Sequence, residues 1–175
     1  MNIQELSELI SLHGEAVYSF CRRLAPSRTD ADDLYQETFL KATELCRKID
    51  RHNNPKAFLC SIALRLWKDS RRKSARRQRI APTQALVEEL DESLLCGEDA
   101  QPEEIAVSNE RTQIVRRAVD TLDEPYRIPL YLYYTVELSI AEIASILKLP
   151  QGTVKSRLYH ARKAIQTILE ANHYE

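Results

Sequence analysis

Lys155, Ser156, Tyr159 and His160 recur at three- and four-residue spacing, so a helix would set them in one row, with Arg157, Arg162 and Lys163 at its flanks. Hydroxyl, imidazole and ammonium groups hydrogen-bond base edges, and cations at the rim of such a row match phosphate. A second concentration of this chemistry runs from Arg65 to Arg79: Arg65, Lys68, Arg71, Arg72, Lys73, Arg76, Arg77 and Arg79, with Asp69 as its only acid. Trp67 lies inside that run. An aromatic face among cations is what single-strand binding uses, bases stacking on the ring while the cations follow phosphate. A third group, Asp33, Gln36, Glu37 and Leu40, also falls at helical spacing and joins acids to an apolar side chain. Each group has a plainer reading: a helical hairpin with a solvated basic face, a cationic helix end that suits the dipole, and a solvated mixed surface. The residues alone leave these open.

Other chemistries have less support. No nucleophile motif, glycine-rich phosphate loop or paired catalytic carboxylates stand in a suitable context, so neither an enzyme nor a cofactor is expected. Cys21, Cys46, Cys60 and Cys96 are far apart, without a CxxC pair or a histidine at ligand spacing, and no metal site is expected. Cys21, Cys46 and Cys60 fall in helical apolar patterns, as buried small hydrophobes in a reducing compartment. The chain has 175 residues, 43% hydrophobic and 29% charged, which suits soluble globular domains. No stretch approaches a membrane span, and the N-terminus lacks a signal-peptide pattern, so a cytoplasmic protein is expected. A net charge of −1 conceals a block structure, because every charged residue from Ile80 to Glu110 is acidic.

Helices must position these groups, since three glycines leave little room for hairpin turns. Leu6, Leu9, Ile10, His13, Val17, Phe20, Cys21 and Leu24 predict a core helix ending near Pro26. Thr29 with Asp32, and acids at Asp30 and Asp33, predict the next helix start, with Leu34, Thr38, Ala42, Leu45 and Ile49 as its buried stripe. A third helix follows Pro55 and carries Ala57, Phe58, Cys60, Ser61, Leu64 and Trp67. The stretch 80–108, with Pro82, Gly97, Pro102 and its acids, reads as a flexible linker whose side chains could compete with DNA for the basic surfaces. Beyond it, Ile114, Val115 and Ala118 should face inward, and Pro129 should remove a bond from the following helix and kink it. Ser139 with Glu142 has capping-box spacing, Ile140, Ile143, Ala144 and Leu147 form one stripe, and Lys148-Leu149-Pro150 breaks it. A second helix then opens after Gly152, with Val154, Leu158, Ala161 and Ile165 buried. Short helix, turn, longer helix with a cationic outer face is the plan of a DNA-reading helix-turn-helix.

The run SIAEIASILKLPQGTVKSRLYHARKAI resembles region 4 of the sigma-70 family, in particular the small extracytoplasmic-function (ECF) sigma factors. DADDLYQETFLKA resembles region 2.2 of the same family, and NPKAFLCSIALRLWKDSRRKSARRQR resembles regions 2.3 and 2.4. The resemblance spans about 5–79 and 109–170. It implies an all-α protein of two small domains, region 2 over 1–79 and region 4 over 109–175, joined by the acidic linker 80–108. It further implies an alternative sigma factor that binds RNA polymerase core at the beta-prime coiled coil and the beta flap, recognises promoter DNA, and has an anti-sigma factor as partner. Asp33, Gln36, Glu37 and Leu40 would meet polymerase. Phe58, Arg65, Trp67, Lys68, Arg71, Arg72 and Lys73 would recognise and melt the minus-ten element. Lys155, Ser156, Arg157, Tyr159, His160, Arg162 and Lys163 would read the minus-thirty-five element. Many members have tryptophan where this chain has Phe58 and asparagine where it has Arg65. Arginine has no acceptor, so it should read other base edges or only phosphate. As a coil the linker spans ~30 Å, less than one duplex turn of ~35 Å, so polymerase would have to hold the domains apart. The alternative is a helix-turn-helix regulator acting without polymerase.

Overall fold

The computed structural model describes residues 3–45, 54–80 and 112–172. Cys46, Ile49, Cys96 and the acidic linker with its expected competition for DNA lie outside these residues. All regular structure among them is helical: α1 (Ile3–Leu24), α2 (Arg28–Glu44), α3 (Pro55–Ile80), α4 (112–120), α5 (Glu124–Tyr134), α6 (Ile140–Leu147) and α7 (Gln151–Asn172). Backbone proximity divides the chain into two compact units, one holding α1 to α3 and the other α4 to α7.

In the first unit α1, α2 and α3 pack against one another in all three pairings. Leu9, Val17, Phe20, Cys21 and Leu24 supply the buried stripe of α1, but Ile10, expected on it, is 40% exposed. The stripe therefore covers a narrower arc than the apolar residues alone suggest, and position 10 falls outside it. Helix α2 starts earlier than Thr29. Ser27 is the N-cap, its Oγ accepting from the Asp30 amide at 3.1 Å and donating to Asp30 Oδ2 at 2.7 Å. Asp32, freed from capping, instead accepts from the Tyr18 hydroxyl at 2.8 Å and ties α1 to α2. That bond is the main reason the Tyr18 pKa is raised. Tyr18, Tyr35 and Phe39 stack edge to face, with centroids 5.4 Å and 4.9 Å apart. Gly14 makes room for them, since a Cβ there would lie 2.8 Å from the Tyr35 hydroxyl. Phe39 joins Ala31, Leu34, Thr38 and Ala42 in the core, and the Thr38 hydroxyl satisfies itself on the Leu34 carbonyl at 2.6 Å. Leu45 sits at the C-cap instead of continuing the stripe.

Helix α3 opens on Pro55, whose missing N–H costs nothing in a first turn, and Asn54 Oδ1 accepts from the Ala57 amide at 3.2 Å. Leu59, Cys60, Ile62, Ala63, Leu64 and Trp67 are buried. Burial pushes the Cys21 and Cys60 thiols up to about 12, so both stay protonated and unreactive near neutral pH. Their burial is as expected of small hydrophobes in helical apolar stripes.

In the second unit α5, α6 and α7 pack on one another. In α4, Ala118 is buried and Ile114 half-buried as expected, but Val115 is 40% exposed and Val119 is buried in its place. Arg127 donates to the Asp120 carbonyl at 3.3 Å, joining the end of α4 to α5. Helix α5 continues through Pro129 to Tyr134, with the ring buried among Ile128, Leu130, Tyr131 and Leu132. Packing thus outweighs the one backbone bond that proline removes.

Candidate nucleic-acid interfaces

The outward row of α7 depends on how α6 ends. The capping box is present: the Ser139 amide donates to Glu142 Oε2 at 2.7 Å and the Glu142 amide to Ser139 Oγ at 3.3 Å. At the other end Lys148 adopts φ 54°, ψ 47°, its amide bonds the Ser145 carbonyl at 3.3 Å, and the Leu149 amide bonds the Ala144 carbonyl at 3.0 Å. This pair of bonds is a Schellman closure with lysine where glycine is usual. Helix α7 then starts at Gln151, earlier than expected. The Pro150 carbonyl accepts from Thr153 and Val154 at 3.0 Å and 3.2 Å. Gly152 is in the first helical turn and the break is formed by Lys148, Leu149 and Pro150, because a carbonyl before the helix suffices to start the ladder.

Val154, Leu158 and Ala161 are buried and fix the rotation of α7. Lys155, Ser156, Tyr159, His160, Arg162 and Lys163 are consequently exposed, with Tyr159 60% exposed, and Arg157 is half-buried at the flank. The expected base-reading row is thus brought together on one open face. Tyr159 and His160 meet edge to face, centroids 5.5 Å apart, which offers an apolar edge beside hydrogen-bonding groups. The Arg162 guanidinium lies over Tyr133 and Tyr134 of α5, a pairing that the spacing within α7 does not reveal.

On the first unit, Arg65, Arg71, Arg72, Lys73, Arg76, Arg77 and Arg79 are exposed along α3, while Phe58 and Lys68 are half-buried. Trp67 requires correction. It is only 7% exposed, a core residue, and so no open platform for a base. A signal for this exists in the sequence: Cys60, Ala63, Leu64 and Trp67 fall at three- and four-residue steps on the buried stripe. Its remaining contribution to the surface is as a seat for the Arg71 guanidinium, 4.8 Å from the ring centroid.

Asp33, Gln36, Glu37 and Leu40 all lie on one outward face of α2, and Leu40 is 66% exposed. A leucine so open, with acids one and two turns before it, is a polar-rimmed apolar contact of the kind interfaces use. The neighbouring Lys41 is held by Glu44 at 2.6 Å. A groove of about 370 Å³, lined by Glu37, Leu66, Asp69, Ser70, Arg72, Lys73 and Arg76, runs between α2 and α3. Asp69 and Arg72 pair there at 3.7 Å, both well exposed, a weak interaction. The groove joins the acidic face of α2 to the cations of α3, two groups that stand some thirty residues apart in the chain. Among the described residues no three His, Cys, Asp or Glu side chains converge as a metal site, and no helix is long and apolar enough to cross a membrane.

Residues 9–77 match the family model for sigma-70 region 2, and residues 112–165 match that for sigma-70, region 4. The ECF RNA polymerase sigma-E factor of Escherichia coli (strain K12) is 34% identical over 161 residues, covering 90% of this chain and 82% of that protein. The chain belongs to the ECF sigma factors. The ECF RNA polymerase sigma factor SigW of Bacillus subtilis (strain 168) is 29% identical over 161 residues, 91% of this chain and 86% of that one. The fold is shared with the sigma factor RpoE from Bartonella quintana, solved in complex with the anti-sigma factor NepR, at a TM-score of 0.78 and 22% identity over 96% of this chain and 98% of that one. CnrH, solved with the cytosolic domain of CnrY, gives a TM-score of 0.67 at 23% identity, over 97% of this chain and 90% of that one. As an ECF sigma factor the chain is an alternative transcription-initiation factor, and a regulator independent of polymerase is not favoured.

Proposed function

We propose that residues 1–79 act as the unit that binds core polymerase and opens the minus-ten element, 80–108 as linker, and 109–175 as the reader of the minus-thirty-five element. The observation that carries this reading is the open row Lys155, Ser156, Tyr159 and His160, held outward by the α6 caps and the buried Val154, Leu158 and Ala161. Those side chains reach base edges, and Arg157, Arg162 and Lys163 hold phosphate. In the first unit, Asp33, Gln36, Glu37 and Leu40 dock on the beta-prime coiled coil, and the second unit docks on the beta flap. Phe58 and Arg65 face the melted strand, with Lys68, Arg71, Arg72 and Lys73 along its phosphates and Trp67 supporting Arg71 from the core. Catalysis belongs to the polymerase, so this chain is not an enzyme and needs neither metal nor cofactor. It works in the cytoplasm, where an anti-sigma factor holds it until a signal releases it; the sigma factor RpoE of similar fold was solved in complex with the anti-sigma factor NepR.

Run-off transcription with purified core polymerase, this chain and a library of genomic fragments tests the reading. The expected result is initiation at a small set of sites sharing two spaced motifs, with little duplex binding by the chain alone. Tight duplex binding without polymerase, and no transcript with it, would overturn the proposal in favour of a self-sufficient regulator.

A further inference from the structure

Arg162 is exposed on α7, yet its guanidinium carbon lies 5.5 Å from the Tyr133 ring centroid and 5.6 Å from that of Tyr134. The two rings, both from the end of α5, stand at 77° with centroids 5.0 Å apart, so they form an angled seat beneath one cation. Both distances are within the ~6 Å reach of cation–π attraction. Tyr134 is 56% exposed, far more open than packing in a core would make it.

The chemistry of this seat differs from that of an ion pair. A carboxylate would neutralise the guanidinium and occupy its N–H donors, whereas a ring takes only the face and leaves the edge donors for a bidentate acceptor. An unheld arginine gives up much of its rotamer freedom when it binds phosphate; one already seated gives up less. We propose that Tyr133 and Tyr134 are positioning residues for Arg162, ordering its guanidinium for a two-pronged contact to a DNA phosphate beside the bases that α7 reads. This rests on the reading of α7 as the DNA-facing helix.

Holoenzyme assembled from core polymerase and the full chain, bound to a promoter fragment recovered in the run-off assay, supplies the test, with affinity measured against salt. Arg162→Ala should weaken binding and lower the salt slope by about 1. Tyr134→Leu should weaken binding about two- to fivefold, Tyr134→Phe should bind as the unaltered chain does, and Tyr134→Leu should add nothing once Arg162 is alanine. In the free chain, NMR should show the Arg162 δ-methylene protons shifted upfield by the rings, a shift kept in Tyr134→Phe and reduced in Tyr134→Leu. The position is open enough that the leucine variant should fold, which an unchanged thermal midpoint checks. Equal losses from Tyr134→Leu with and without Arg162, or equal losses from leucine and phenylalanine, would overturn the positioning role. So would unchanged binding in Tyr134→Leu while Arg162→Ala loses affinity, and that outcome leaves the DNA-facing reading intact. No effect of Arg162→Ala on affinity or slope would instead remove the DNA role of that arginine and the proposal with it.

Discussion

The cationic end of α3 and the outer row of α7 offer similar groups on different supports. On α3, Arg71, Arg72, Lys73, Arg76 and Arg77 crowd one helix end, all exposed, with Asp69 as the acid nearby. On α7, one lysine, one serine, a tyrosine and a histidine share a row whose rotation is set by the buried Val154, Leu158 and Ala161 and whose start is set by the closure of α6. Dense like charge raises affinity for any phosphate backbone but distinguishes few sequences. Different donors and acceptors held in fixed order can distinguish bases. On the proposed reading, the first surface suits attraction and strand separation and the second suits discrimination.

The largest effect should come from removing charge on α3. Replacing Arg71, Arg72, Lys73 and Arg76 together by glutamine should lower the salt slope of holoenzyme–promoter binding by about 3 to 4, with similar losses on every promoter. Loss confined to one promoter class would give α3 a reading role and break the contrast. A smaller, selective effect is expected on α7. Lys155→Ala should cost about 1–3 kcal/mol on a matched minus-thirty-five element and much less on mismatched ones, as competition binding would show. An equal loss on all sequences would reassign Lys155 to phosphate.

The support of α7 can be probed without DNA. Ser139→Ala removes the acceptor for the Glu142 amide and should lower stability by about 0.5–2 kcal/mol in denaturant titration. An unchanged midpoint would mean that the cap does not help hold the turn. The smallest effect should be a gain. Gly152 lies in the first turn of α7, where a Cβ would meet no other part of the fold within 4 Å, and Gly152→Ala should stabilise by about 0.4–1 kcal/mol. Loss of promoter binding in that more stable variant would show that DNA backbone approaches this glycine closely.

Much of this organisation is legible in the sequence because it is local. The capping box needs only Ser139 and Glu142 three residues apart, and the exposed row on α7 follows from the periodicity of Val154, Leu158 and Ala161. The open face of Asp33, Gln36, Glu37 and Leu40 follows in the same way from Leu34 and Thr38 being buried. The start of α2 is not legible, because Ser27, Thr29 and Asp30 all suit a cap, and choosing among them depends on Asp32 being engaged by Tyr18 from another helix. Ile10 and Val115 read as inward-facing, yet are open, because apolar type alone does not say how wide an arc the neighbouring helices cover.

The sequence by itself determined that the chain is helical, that its charge is segregated into blocks, that a capped helix-turn-helix lies near its C-terminal end, and which family it resembles. These follow from spacing within single helices, where each residue's neighbours are its own turns. Only the tertiary structure decided that Glu37 shares a groove with Arg72, Lys73 and Arg76, and that Arg162 is seated on two tyrosines of another helix. The physical reason is that a long side chain's partner is whatever the packing of distant segments brings within a few ångströms, and no local period encodes that.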